Sequence, residues 1–425
     1  MKEKCIFTIC SKNYLAQALT LKKSVKKFEP DAAFFLFLAD KKNDEIKNVE
    51  LEVLDDEWIP GWRCMAFKYD VIEFNTSIKP FCFKKLFKQG YSDVVYLDPD
   101  TYVTAALDYI WKNLNRYSII LTPHVSRLEL NYTGAQIEES VLNVGIFNLG
   151  FAAFRNNEKG NNIVNWWCDR LTTQCYSYKG LFVDQKWMNF IPCFYPDDLL
   201  ICKHCGINVA IWNLHERELY VENGEYKVKE LETGKLFPLL IFHFSGFDPF
   251  DDKLINRRIP RFGVDKYPSF APLIQEYKKS EYENGYEKYS KLPYFFNQYD
   301  NGFEIMPLHR RLYRATLDEF IKDDPFSSSG RFYKNLKASK LIIKNENKEA
   351  IFSDRKKLSA NEKLRHARKF QILARIFLRI IGVRRYNMLL SYGKVFCQQE
   401  NQTFLMQNMT KVNKYESFTV SDLKH

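Results

Sequence analysis

No stretch of about 18 uninterrupted apolar residues occurs in the 425-residue chain, so no membrane-spanning helix is expected. After Met1-Lys2-Glu3-Lys4 only six apolar or neutral residues precede Ser11-Lys12-Asn13, short of the roughly 7–15 of a secretory signal core. The ten cysteines are scattered, several of them inside apolar runs where they act as small hydrophobes. That usage fits a reducing cytosol, and a cytoplasmic location is expected. Cys202-Lys203-His204-Cys205 lacks a second C-x-x-C pair, which favours a local turn over a zinc site. No G-x-G-x-x-G follows the first strand-like run, which argues against a dinucleotide-binding enzyme. No recognisable nucleic-acid module accompanies the basic residues, so no nucleic-acid partner is expected.

What is present is 46% hydrophobic and 16% aromatic, enough for a large core in a chain longer than one average domain. Cys5 to Cys10 predicts a first strand, and Leu15, Leu19, Leu21 and Val25 a helix after it. Ala33 to Leu38 predicts a second strand, so strands and helices alternate as in parallel βαβ units. A helical period over Ile78 to Phe87 stops at Gly90, where a terminal glycine belongs. Further strands are predicted at Ser118 to His124, Phe147 to Phe154 and Leu239 to Gly246, with helices over Asn161 to Leu171 and from Val183 to Met188. After Pro260 the pattern turns to Tyr-, Lys- and Glu-rich helical segments. The chain is thus divided into 1–260, a mostly helical extension 261–354 and a basic region 355–425.

Val94-Val95-Tyr96-Leu97-Asp98-Pro99-Asp100 organises this pattern, because an apolar run ends in two acids one position apart. In open α/β sheets ligands sit beyond the carboxyl ends of the strands. Two hard carboxylates there suit Mg²⁺ or Mn²⁺ with the phosphates of a substrate. The same residues also fit a turn in which Asp100 caps a helix reached through Thr101-Tyr102-Val103.

Taken in order, Thr8 to Tyr14, Tyr96-Leu97-Asp98-Pro99-Asp100, Asn148-Leu149-Gly150, Asp184-Gln185 and His243-Phe244-Ser245-Gly246 resemble the nucleotide-sugar glycosyltransferases of GT-A fold. Within them the resemblance is to the retaining family 8 type, which includes bacterial lipopolysaccharide galactosyl- and glucosyltransferases and glycogenin. It spans roughly residues 5 to 250. It implies an α/β, Rossmann-like fold with a mixed, mostly parallel central sheet flanked by helices. It also implies a Mn²⁺ (or Mg²⁺) ion on Asp98, Asp100 and His243 that bridges the phosphates of a UDP-linked sugar. Thr8, Ser11, Asn13 and Tyr14 would contact the nucleoside, and Lys79 a phosphate. Asn148, Gly150 and Gly246 would line the donor site, and Asp184 and Gln185 would face the anomeric carbon. The acceptor would be a glycan or a lipid-linked glycan of surface polysaccharide synthesis.

Two departures stand out. Ser11 occupies a position that is usually acidic, and Gly246 is followed by Phe247-Asp248-Pro249-Phe250 instead of a Lys-Pro-Trp. Lys253 or Arg257 would then supply the phosphate contact, and Asp248 joins Asp184 and Gln185 among the candidate catalytic carboxylates and amides. Simpler roles remain open for His243 as a structural histidine and for Asn148 and Asp184 as caps, while Trp212 to Arg217 reads either as an aromatic ring that stacks on a sugar or as an ordinary surface turn. A non-catalytic sugar-nucleotide-binding or scaffolding protein is the rival from another class. A sugar-1-phosphate nucleotidyltransferase is disfavoured, since its Gly-rich basic loop is missing.

From Arg355 to Lys394 twelve basic residues face a single acid, Glu362. On a helical wheel Arg365, Arg368, Lys369, Arg375 and Arg379 share one side, with Phe370, Ala374, Phe377, Leu378 and Ile381 opposite. Residues 361–385 therefore have the form of an interfacial helix on the anionic inner face of the plasma membrane, or of a helix docked on its own protein.

Overall fold

Alternation along the central strands builds two different cores, one on each face of a single sheet. In the computed structural model, which describes residues 2–127, 138–178, 180–250, 255–256, 265, 267–342 and 360–407, that sheet has seven strands. They are β1 (Lys2–Cys10), β2 (Ala33–Leu38), β3 (Glu52–Val53), β4 (Tyr91–Leu97), β6 (Ile119–Pro123), β7 (Phe147–Arg155) and β8 (Leu199–Ile201). Their order is β3-β2-β1-β4-β7-β6-β8. Ile6, Val95 and Leu97 point to an aliphatic core shared with the helices Leu15–Phe28 and Asp108–Leu114. Phe7 and Tyr96 point the other way, into an aromatic seam in which Phe7 meets Phe37 and Phe83, Phe83 meets Phe154, and Phe154 stacks on Trp167. The helices Lys79–Lys88 and Glu158–Thr173 close that side, the second capped by Asn157, whose side chain accepts from Gly160 N.

The expected mixed, mostly parallel sheet flanked by helices is what is observed. One strand departs from simple βαβ alternation: β7 runs antiparallel to both β4 and β6. Its residues are buried on both faces, so its sequence carries no alternation that would betray direction. The stretch after Asp100 is a strand, β5 (Thr101–Val103), and the next helix begins only at Asp108. Asp100 is therefore no helix cap. β5 pairs antiparallel with β12 (Ile241–His243), a short strand within the run expected over Leu239 to Gly246, with His243 opposite Thr101. Between β8 and β12 lies an antiparallel meander that the sequence reading did not include: β9 (Arg217–Glu222), β10 (Glu225–Glu230) and β11 (Leu236–Pro238).

The chain divides into two compact units, Met1–Phe295 and Phe296–His425. The boundary expected near 260 therefore falls later. The helix Ala271–Glu283 buries Leu273, Ile274 and Tyr277 against Phe242 and Phe244, within the core of the first unit. The second unit is helical, with Pro307–Ala315, Arg331–Ala338 and Ala360–Phe396, the last interrupted at Gly382 (φ 78°). No helix among the described residues is long and apolar enough to cross a membrane. Lys253, Arg257 and 355–359 lie outside the described residues.

Candidate active site

Two ladders bring together three side chains that could hold a metal ion. β4 ends at Leu97, and Asp98 N is tied to the carbonyl of Gly150 on β7 at 2.8 Å. The turn that follows is closed on the Asp98 carbonyl by Thr101 N at 3.0 Å and Thr101 Oγ1 at 2.7 Å. β12 then lies against β5, and Phe244 N donates to the Asp100 carbonyl at 2.8 Å. His243 Nε2 thereby comes 3.2 Å from Asp100 Oδ1 and 3.8 Å from Asp98 Oδ2. One ligand atom from each of the three residues lies within 4.8 Å of the others. The histidine is buried beneath while the carboxylates are partly exposed above, with side chains 30% and 18% accessible at Asp98 and Asp100.

The electrostatics suit a cation. Burial presses the His243 pKa down, but the Asp100 carboxylate, its hydrogen bond and Asp98 outweigh burial and raise it. The Tyr96 hydroxyl donates to Asp98 Oδ1, orienting that carboxylate. Gly150 leaves the room the imidazole needs, because a Cβ there would lie 2.3 Å from His243 Cε1. Two hard oxygens, one imidazole nitrogen and an open upper side make a donor set that fits Mn²⁺ or Mg²⁺.

Below the carboxylates lies a buried ion pair. Lys79 Nζ donates to Asp184 Oδ2 at 2.5 Å and to the Leu149 carbonyl at 2.9 Å, and it sits 4.2 Å from the centre of the Tyr96 ring. Lys79 is thus engaged inside the protein and does not present its ammonium to an open phosphate site. Burial raises the Asp184 pKa, Lys79 lowers it, and Asp98 raises it. Val183, immediately before Asp184, has φ 38°, a left-handed conformation that is strained for a β-branched residue. Gln185 donates to the Val144 carbonyl at 3.0 Å and accepts from Leu149 N at 3.5 Å, so its amide is spent on backbone.

At the same carboxyl edge, beyond β1, Ser11 Oγ donates to Asn13 Oδ1 at 2.6 Å, and Asn13 and Tyr14 are half-buried. Thr8 is fully buried, its hydroxyl without a hydrogen-bond partner. Asn148 accepts from Gly150 N at 3.0 Å, and Gly246 takes φ 71° against Asn256. Asp248 lies outside the metal cluster and accepts from Phe250 N at 3.1 Å. Trp212 is no surface turn. It is buried, 5.2 Å from His243 and 5.4 Å from His124 between ring centres.

Sequence reasoning missed Asn208, which accepts from His243 at 3.1 Å, and the pair Tyr277 and Glu281, one turn apart on the helix Ala271–Glu283. Glu281 is 1% exposed, and burial, with the charges of Asp100 and Asp248, raises its pKa to about 8 against the pull of Tyr277. Only the left-handed residue Asn208 (φ 53°), two positions after Gly206, left any local signal.

No protein-family model matches the chain. The uncharacterized protein YfnF of Bacillus subtilis (strain 168) is 24% identical over 253 residues, 56% of this chain and 80% of that protein. Among solved structures, the galactosyltransferase LgtC in complex with donor and acceptor sugar analogs is 14% identical, over 65% of this chain and 99% of LgtC, with a TM-score of 0.38. The bifunctional glycosyltransferase WbbM is 15% identical, over 67% of this chain and 52% of its own, TM-score 0.39. GlyE of Streptococcus pneumoniae TIGR4 is 14% identical, over 70% and 67%, TM-score 0.36. All three are glycosyltransferases. At such TM-scores the functional reading rests on the residues of the site.

Proposed function

We propose that the chain is a metal-dependent glycosyltransferase that moves a sugar from a nucleoside-diphosphate sugar, UDP-linked, to a glycan or lipid-linked acceptor in surface polysaccharide synthesis. The observation that carries the reading is the meeting of Asp98, Asp100 and His243 at the carboxyl edge of the sheet, with a strained backbone and a buried carboxylate at Val183-Asp184 beneath. In this reading Asp98, Asp100 and His243 hold a Mn²⁺ or Mg²⁺ ion. When bound, the ion neutralises the charge that gathers on the departing diphosphate. Asn13 and Tyr14 flank the nucleoside. Asp184, kept in place by Lys79, and Gln185 floor the sugar subsite, and Asp248 stands at its rim. The helix around 361–385 holds the enzyme at the anionic inner face of the plasma membrane. Its basic residues Arg365, Arg368, Lys369, Arg375 and Arg379 are exposed, and Phe370 and Phe377 on the other side leave 68% and 45% of their surface open.

The test is UDP release from a panel of nucleotide sugars with Mn²⁺. Asp100→Ala should lower turnover by at least about 100-fold, the scale of losing a charge-stabilising group. Retained turnover in that variant would sink the metal assignment. Metal-dependent donor binding with no turnover on any acceptor would leave a sugar-nucleotide-binding protein instead.

A further inference from the structure

Two backbone groups whose hydrogen-bonding roles cannot change lie at the ends of a buried polar chain that leads to His243. Gly150 N–H can only donate, and it points at the side chain of Asn148 at 3.0 Å, so that atom is the amide oxygen. The group of Asn208 facing the same oxygen at 3.0 Å must then be its Nδ2, which also donates to Thr122 Oγ1 at 2.8 Å. Asn208 Oδ1 is therefore the atom turned to His243 Nδ1 at 3.1 Å, and the imidazole must carry a hydrogen there. The other end agrees. The carbonyl of Ile146 can only accept, so His124 Nδ1, 3.1 Å away, is protonated. His124 Nε2 is left to accept from Asn148 Nδ2 at 3.4 Å, and burial keeps this ring neutral by lowering its pKa to about 4. The side chains of Thr122, His124, Asn148, Asn208 and His243 are all buried. The backbone of Asn208 is locked as well: Val209 N donates to the Ile241 carbonyl at 3.0 Å and His243 N to the Val209 carbonyl at 2.8 Å, so Asn208 travels with β12.

We propose that Asn208 is a positioning residue which, with Asn148, Gly150 and His124, holds the His243 ring with its Nδ1–H turned inward and its Nε2 turned to Asp98 and Asp100, so that Nε2 is the nitrogen that would ligate once a cation takes the place of its proton. The outer partner of a metal-bound histidine selects which ring nitrogen is free to ligate. This relay gives Asn148 a second task, since three of its hydrogen-bonding positions are spent inside the protein. The inference rests on the metal reading above, yet it makes a claim about the metal-free protein that stands by itself.

The experiment has two arms. In the first, Mn²⁺ alone is titrated into the full chain and free Mn²⁺ is followed by electron paramagnetic resonance. Asn208→Gly keeps the left-handed backbone and removes the side chain, while Asn208→Asp keeps an acceptor for Nδ1–H. The glycine variant should bind about 10–100-fold more weakly than wild type, and the aspartate variant, which loses the bonds to Asn148 and Thr122 but keeps the acceptor for Nδ1–H, should bind more tightly than the glycine variant. Equal binding by Asn208→Gly and wild type overturns the proposal, as does equal loss in both variants together with equally lowered unfolding temperatures in EDTA. In the second arm, ring ¹⁵N–¹H correlations of histidine-labelled, metal-free wild type are recorded. The relay requires a hydrogen on Nδ1 of both His124 and His243, and a bare Nε2 on His124. A bare Nδ1 on either ring overturns it, even if Asn208→Gly does not fold. Wild type that binds no Mn²⁺ but shows the expected tautomers would defeat the metal reading and leave the relay standing.

Discussion

Replacing Glu281 by glutamine should change the pH dependence of stability, because it removes the titration of a carboxyl that the fold holds in its neutral form. Glu281 is 1% exposed and its Oε2 has no hydrogen-bond partner. Burial, with the nearby charges of Asp100 and Asp248, raises its pKa from 4.5 to about 8. The folded state therefore keeps a proton that the unfolded chain releases above pH 4.5. Stability from this group is complete below that pH, declines as pH rises through about 8, and is level beyond. At ~1.4 kcal/mol per pKa unit the full decline is on the order of 5 kcal/mol. Glutamine has nearly the same shape and does not ionise. In urea unfolding at pH 5, 6, 7, 8 and 9 with EDTA present, the stability of Glu281→Gln relative to wild type should grow between pH 5 and 8 and then hold. Added Mn²⁺ should shrink the difference, since a cation at Asp98 and Asp100 cancels part of the field on Glu281. A difference that stays constant with pH, or that grows in favour of wild type, would refute the assignment of a buried neutral carboxyl.

Gly150→Ala would put a methyl 2.3 Å from His243 Cε1 and 2.8 Å from Asn148 Oδ1, so Mn²⁺ affinity should fall at least about 10-fold, and unchanged binding would mean that the ring is free to move aside. Asp184→Asn leaves the buried Lys79 ammonium without its counter-charge and should cost about 3–5 kcal/mol in chemical unfolding. The double variant Lys79→Met, Asp184→Leu should recover more than half of that loss, and a single-variant cost below about 1 kcal/mol would count against a tightly buried pair. Deleting 361–385 should abolish co-sedimentation with anionic vesicles, an attraction of about 1 kcal/mol per basic side chain. Binding of the intact chain should also fade between 0.1 and 1 M salt as the Debye length drops from about 10 to about 3 Å, whereas equal binding to neutral lipid would point to packing on the protein itself.

The central sheet was legible because β1, β2 and β4 carry dense apolar runs that end in turn residues, and Asp98 and Asp100 were found because two acids closing such a run are chemically conspicuous. His243 was legible for the same reason. The direction of β7 was not, since a strand buried on both faces reads alike in either sense. Nor was the start of the second unit, because the Tyr-rich helix Ala271–Glu283 looks like surface until Tyr277 is seen stacked on Phe244 with ring centres 3.8 Å apart. Asn208 and Glu281 act through neighbours brought from afar in the chain, Asn148 and His243 for the first, Asp100 and Asp248 for the second. No local pattern records such meetings.

The three-residue ladder between β5 and β12 also acts as a check on assembly. Side chains alternate along a strand, so a slip of one position would replace the His243 imidazole with the phenyl ring of Phe242 or Phe244. The proposed cation site is therefore complete only in chains in which two segments some 140 residues apart have met in one register. Binding would then draw the folding equilibrium toward that register by mass action. On the proposed metal reading, chains in cells poor in the metal would lose this correction, and the shortage would lower both turnover and the fraction of chains correctly built.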